Sequence, residues 1–244
     1  MKKLVFLLVV FVSQQIIAQS LPEEYEVVMD ELDDLEQAQK IEKIESTFKD
    51  HPNNPWQYWM KAEVFMSIED DKNIRLNYEK AIQLDSNFSA GYGSYSRYLM
   101  DQDTMNFKRV IELSSKAIEL SPREFIYRIV RAQAYYYDKN YEKAYVDAEV
   151  FNKYLGDELF DGELMMLHCL YALGRQEELK SRMATLDVSQ IMVEPKDALF
   201  LASIYTNQGM KEQACACYRL AAEAYDFFSE EVPVKVLEQI KKCE

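Results

Sequence analysis

Two histidines, His51 and His168, and four cysteines, Cys169, Cys215, Cys217 and Cys243, are the side chains best suited to metal binding or nucleophilic catalysis. A structural zinc site needs four such ligands, with cysteines in closely spaced pairs, and a triad needs a histidine base beside its nucleophile. The chain has no Cys-x-x-Cys pair and too few His for a cluster. No Gly-rich phosphate loop is present. Asp70-Asp71-Lys72-Asn73 and Asp101-Gln102-Asp103 offer oxygen atoms of the kind calcium takes. Both lack the following Gly and the closing Glu at loop distance. Glu142, Glu149, Glu177 and Glu178 lie among Lys and Arg on faces that read as solvated. An acid–base pair needs one desolvated member, and no acid is marked as such. The expectation is a non-enzyme with no catalytic residue, metal or cofactor.

The cysteines instead invite structural readings. Cys215 and Cys217 lie two apart on one helix, point to different faces and should not bond each other. Cys169 and Cys217 read as small buried apolar side chains. Four cysteines can pair in three ways as two disulfides. Cys243, near the terminus, is the one placed for an intermolecular link.

Composition narrows what must position these groups. The 244 residues carry 28 Lys plus Arg against 42 Asp plus Glu, a net charge of −14. Such an acidic chain, with no basic patch, is a poor partner for nucleic-acid phosphates. Six Gly and six Pro supply too few turns for an all-β sandwich or barrel, while 48% hydrophobic residues suffice for a core.

Met1-Lys2-Lys3, the apolar run from Leu4 to Val12 and the polar exit Ser13 to Ser20 have the layout of a secretory signal peptide over 1–20. The alternative is a buried N-terminal strand. The apolar run is short for a membrane span, and no second long one follows. Cleavage after Ala18 or Ser20 leaves 26 basic against 42 acidic residues, a net charge of −16. No Cys stands near the cut to carry a lipid anchor. The ending IIAQS resembles the signals of Bacteroidetes-type exported proteins.

The remainder repeats. Ala62, Phe65, Tyr78 and Ala81 flank Asp70-Asp71-Lys72 as a turn. Ala132, Tyr135, Ala144, Ala148 and Phe151 flank Asp138-Lys139-Asn140, with Tyr141 opening the second helix. Ala202, Tyr205, Gly209, Ala214, Tyr218 and Ala221 form another copy. A copy with Ala117 and Pro122 has its first helix near Tyr92 to Leu99, and one with Leu167, Leu170, Gly174, Leu179 and Met183 uses leucines in place of small residues. Small side chains let two antiparallel helices approach, and aromatics fill the space between them. Aligned on the second helix, Ala81, Ala117, Phe151, Leu186 and Ala221 are spaced by 36, 34, 35 and 35 residues.

This pattern resembles the tetratricopeptide repeat, with small residues on both helices and an aromatic late in each. The resemblance implies an all-α fold, an α-solenoid of helix hairpins with a C-terminal capping helix. It covers 53–226 as five repeats, at about 53–88, 89–122, 123–157, 158–192 and 193–226. Residues 21–52 read as a degenerate N-terminal helical repeat carrying Ile41, Ile44 and Phe48, and 227–244 as the cap, with Val232, Val234, Leu237 and Ile240. An ordinary helical bundle is the alternative, but it has no reason to repeat at this interval.

In proteins of this kind the first helix of each pair lines a concave surface where partners bind. Carried over, the candidate groove holds Trp56, Trp59, Met60, Glu63, Arg97, Gln133, Tyr136, Tyr137, Met165, His168, Tyr171 and Phe200. Many of these could equally pack between helices. Tyr and Trp make flat amphipathic anchors, and Met adapts to irregular partners. The clamp of Lys, Asn and Arg that some relatives use for a C-terminal carboxylate is not matched by Arg97 and Gln133. Arg128 and Arg131 lie beside the groove.

The expected function is a non-catalytic scaffold or adaptor of the bacterial cell envelope that binds another protein or a peptide segment. Self-association through an open solenoid end can coexist with it. A carbohydrate- or small-ligand-binding accessory protein, with Tyr and Trp stacking on sugar rings, is the alternative. Neither reading involves nucleic acid or an integral membrane span. The expected location is the periplasm, with secretion or peripheral attachment to the envelope also open.

Overall fold

The computed structural model describes residues 22–102, 106–156, 159–188 and 193–243. The signal-like segment 1–20 and Asp103 of the second acidic loop lie outside them. The described residues form thirteen α-helices and no strand. They run α1 (Glu23–Leu32), α2 (Gln37–Thr47), α3 (Pro55–Met66), α4 (Asp71–Leu84), α5 (Ser89–Met100), α6 (Phe107–Leu120) and α7 (Ile126–Tyr137). Then follow α8 (Tyr141–Leu155), α9 (Asp161–Ala172), α10 (Gln176–Thr185), α11 (Pro195–Asn207), α12 (Lys211–Phe227) and α13 (Val234–Lys241). This is an α-solenoid of paired helix hairpins ended by one further helix.

Several helix starts have a local chemical cause. Asn54 caps α3, its Oδ1 accepting from the Trp56 amide at 3.0 Å, and Pro55 takes the first helical position, where no N–H is needed. Asp70 accepts from the Asn73 amide at 3.1 Å to open α4, and Asn106 accepts from the Arg109 amide at 3.2 Å to open α6. Pro195 opens α11 in the same manner as Pro55.

Four hairpin turns share one device. Glu69, Lys139, Gly174 and Gly209 adopt left-handed backbones, with φ of 58°, 62°, 70° and 74°. After each, an amide reaches back five residues: Asp70 to the Phe65 carbonyl at 3.2 Å, Asn140 to Tyr135 at 2.8 Å, Arg175 to Leu170 at 3.0 Å and Met210 to Tyr205 at 2.9 Å. This closure satisfies carbonyls that the helix end leaves open. The four left-handed residues are separated by 70, 35 and 35 positions, so the period lives in the backbone as well as in the side chains.

The chain divides into two compact units, residues 22–140 and 141–243 of the described chain. In the first, α3 packs on α4, α5 on α6, and α6 on α7. Its core holds Ile44, Met60, Ala62, Tyr78, Ala81, Val110 and Leu113. Helix α5 is buried on nearly every side. It can be so because Gly93 has no side chain: a Cβ there would stand 2.0 Å from the Tyr127 ring. In the second unit α8 packs on α9, and α11 on α12, around Leu167, Leu170, Leu179, Ala202, Tyr205 and Cys217.

Several details differ from the sequence expectation. Leu186 is not helical: α10 ends at Thr185 and Leu186 is its extended C-cap residue, because this helix has 10 residues where α12 has 17. Asp71 and Lys72 begin α4 and leave the turn to the residues before Asp70. In the terminal segment Val236 is buried, with Val232 and Ile240 packed beside it. Val234 and Leu237 face outward at 70% and 44% exposure, since a helix presents one face at intervals of four. Cys243 bonds Cys215 within the same chain, with Cα atoms 5.8 Å apart, and so ties the end of α13 to α12. The intermolecular expectation for Cys243 is thereby corrected, and the physical reason is proximity created by the turn at Ser229. Cys169 and Cys217 are buried unpaired thiols, and burial pushes both up to about 12.

Candidate functional site

The candidate residues fall into separate groups with different surroundings. On α3, Trp56 and Trp59 stand three apart on one face, with ring centroids 5.5 Å apart and edge-on. Trp56 also meets Phe88 edge-on at 4.6 Å and Tyr25 at 5.9 Å. Trp59 is buried, its indole Nε1 donating to the Ser94 hydroxyl on α5 at 2.9 Å. Met60 is fully buried. These two side chains are core, and only the half-buried Trp56 offers any surface.

Glu63, one turn further along α3, accepts a 2.6 Å hydrogen bond from the Tyr78 hydroxyl of α4. Burial pushes its carboxyl up, opposed by the positive charge of Arg97 and by that hydrogen bond. Tyr78, itself fully buried, is pushed well above its ordinary range, chiefly by desolvation and then by the Glu63 charge. Glu63 and Arg97 therefore act on each other within the first unit. Glu63 and Arg97 are both half-buried, and the Tyr78 hydrogen bond joins α3 to α4.

On α7, Gln133 and Tyr136 are half-buried and Tyr137 is 48% exposed. The Tyr137 ring stacks on Phe107 of α6 at 5.6 Å and 8°, with Tyr136 edge-on to it at 5.7 Å. Arg131 donates to Ser115 at 3.0 Å and lies over the Tyr135 ring, so it serves packing between α6 and α7.

The second unit gathers the remaining candidates most closely. His168 of α9 lies flat against Phe200 of α11, with ring centroids 3.8 Å apart and 14° between planes. Tyr171, three residues beyond His168, meets Phe200 edge-on at 5.6 Å and is 52% exposed. Met165, three residues before His168, is half-buried. His168 Nε2 is 3.1 Å from Asp197 Oδ1. Asp197 precedes Phe200 by three positions on α11, so both occupy one helix face. Asp161, at the start of α9, is pushed up by burial; its own backbone amide hydrogen bond opposes this, and the negative charges of Asp197 and Glu194 add to it.

The sequence reading missed Asp161, Glu194 and Asp197. Their signal was position: Asp161 lies four before Met165, and Asp197 three before Phe200, on helix faces already singled out. It also missed Tyr78 and Ser94 as the internal partners of Glu63 and Trp59. Among the described residues, no group of three or more His, Cys, Asp or Glu could hold a metal ion, and no helix is long and apolar enough to cross a membrane.

The arrangement defines an α-solenoid of tetratricopeptide-like hairpins with aromatic side chains exposed on first helices. No protein-family model matches the chain, and no curated protein sequence is similar to it at a significant level. Solved structures do resemble it. PilW, described as a widely conserved type IV pilus biogenesis factor, superposes with a TM-score of 0.64 at 13% identity, over 89% of this chain and 94% of its own. The pilF protein of Pseudomonas aeruginosa gives 0.68 at 13% identity, over 89% and 93%. A TPR repeat-containing protein from Cytophaga hutchinsonii gives 0.57 at 18% identity, over 84% and 81%. At these identities the likeness establishes the repeat fold and nothing finer.

Proposed function

We propose that the protein is a non-catalytic scaffold of the cell envelope that binds another protein or a peptide segment through aromatic faces of its first helices. The observation that carries this reading is the surface cluster of His168, Tyr171 and Phe200, which joins two consecutive first helices without serving as deep core. A flat aromatic edge beside polar groups is the surface on which partner side chains anchor. The Cys215–Cys243 pair supports an exported, oxidising location, since disulfides persist there. The repeat fold is shared with a pilus biogenesis factor, which favours a role in assembling an envelope structure.

The sugar-binding alternative needs open aromatic faces. Here one face of Phe200 is covered by His168, and the shallow depression lined by Asp50 to Trp56 offers Trp56 and the smaller His51 ring, with no Tyr or Phe. Both features favour the peptide reading. Its test is affinity capture from an envelope fraction with the mature chain, compared with Tyr137→Ala and Tyr171→Ala separately and together. A partner recovered by the parent and lost with either variant is the expected result. Equal recovery of every captured protein by all variants would sink the proposal.

A further inference from the structure

The first and last helices of the described chain carry opposite charges on their exposed faces. Helix α1 holds five acids and no base. Helix α13, with the Lys242 that follows it, holds three lysines against the single acid Glu238. Val28 and Leu32 turn one face of α1 into the core. The opposite face presents Glu23, Val27 and Asp30, at i, i+4 and i+7, with Val27 54% exposed. On α13, Val236 is buried with Ile240 packed beside it, and the other face presents Val234, Leu237 and Lys241, at i, i+3 and i+7.

These charges are not used within the chain. The side chains of Glu23, Asp30, Lys235 and Lys241 make no hydrogen bond or ion pair among the described residues, whereas Glu31 of α1 meets Lys43 at 2.6 Å. Glu238 stands three residues from both Lys235 and Lys241 and pairs with neither. Each exposed face is therefore an aliphatic contact flanked by uncompensated charge, acidic on α1 and basic on α13.

The spacings match as well as the signs. From Val27, Glu23 lies four residues back and Asp30 three forward; from Leu237, Lys241 lies four forward and Lys235 two back. At a rise of about 1.5 Å per residue, antiparallel helices with Leu237 over Val27 place Lys241 level with Glu23 and Lys235 about one residue short of Asp30. Two copies meeting through the same helix would instead set acid on acid or lysine on lysine, which opposes association.

We infer that α13 of one molecule docks on α1 of a second copy, a head-to-tail contact between unlike surfaces. The exposed aliphatic area is small, so the association is weak and depends on salt. It uses neither Tyr137 nor Tyr171 and does not rest on the peptide-binding reading.

The experiment is sedimentation velocity of the mature full chain over a concentration series, at about 0.1 M and about 1 M salt, where charges are screened beyond about 10 Å and about 3 Å. The sedimentation coefficient should rise with concentration at the lower salt and much less at the higher. Lys235→Glu/Lys241→Glu and Glu23→Lys/Asp30→Lys should each weaken association at least about tenfold. The neutral Lys235→Gln/Lys241→Gln pair, which adds no repulsion against Glu238, should weaken it in the same direction. The chain carrying both charge reversals restores opposite signs and should associate again, and thermal melts of each variant verify folding. A parent that stays monomeric throughout would overturn the inference. So would association left unchanged by the charge variants, or a doubly reversed chain that folds and stays monomeric. The capture experiment with the Tyr137 and Tyr171 variants is unaffected by any of these results, so the two readings fail separately.

Discussion

Glu63 and His168 are separated by three 35-residue steps and so share one place in the repeat, yet the two units use that place in opposite ways. In the first, Glu63 is held by Tyr78 and faces Arg97 within packed helices, and its neighbours Trp59 and Met60 are core. In the second, His168 lies against Phe200, which the half-exposed Tyr171 also meets, with Asp197 Oδ1 at 3.1 Å from its Nε2. The repeat position sets where a side chain starts. The residues one turn away decide whether it is consumed by packing or left at the surface. Chemistry type alone does not separate the cases, since both units offer aromatics and acids on the same helices.

The largest effect expected from this contrast is Trp59→Ala, which should cost about 3–5 kcal/mol in urea unfolding, as removal of a buried aromatic does. A cost near zero would mean that Trp59 is surface after all. Next comes Cys215→Ser, or reduction of the parent. The bond closes a chain segment of 28 residues' separation, and its loss should cost about 2–4 kcal/mol. Amide exchange should then rise in α13 while α1 to α7 keep their protection. Loss of protection in the first unit as well would merge what the comparison holds apart.

Gly209→Ala should cost about 1 kcal/mol, because an L side chain resists the left-handed backbone there. Nothing lies within 4 Å of the new methyl, so packing adds no part of it. A neutral result would show that the turn relaxes easily.

Glu63→Gln tests the sign of a buried charge. The folded pKa of Glu63 is raised, so the folded state binds its proton more tightly than the unfolded state. The ionised form therefore costs stability above the folded pKa, and the cost disappears as pH falls below the unfolded value. The variant should gain on the parent as pH rises from the unfolded value through the raised folded one, measured by parallel urea melts. A difference independent of pH would remove the desolvation argument. Smallest of all, Tyr171→Ala should change stability by less than about 0.5 kcal/mol, in line with an exposed site. A loss of the size expected for Trp59 would place Tyr171 in the core and end the contrast.

Much of this architecture was readable before any coordinates. Small residues at Ala62, Ala81, Ala132, Ala202 and Ala221 are buried, and they appear at repeat spacing because helices approach closely only where side chains are short. Prolines 55 and 195 mark helix starts because proline needs no donor there. Glu69 and Lys139 were harder to see as left-handed positions, since only Gly174 and Gly209 carry the residue type that favours that backbone. Trp59 was ambiguous because an aromatic side chain suits a core and a groove equally, and Ser94, which takes its N–H, lies 35 residues away.

The helical class, the period of about 35 residues and the burial of the small side chains depend on local periodicity and size, and so they are legible in the residue order. Only the packing of whole helices brings Cys243 to Cys215, Tyr78 to Glu63, and His168 against both Asp197 and Phe200. Such pairings depend on distances between residues remote in the chain. Those distances are set by how whole helices pack, which the pattern within any one helix does not encode.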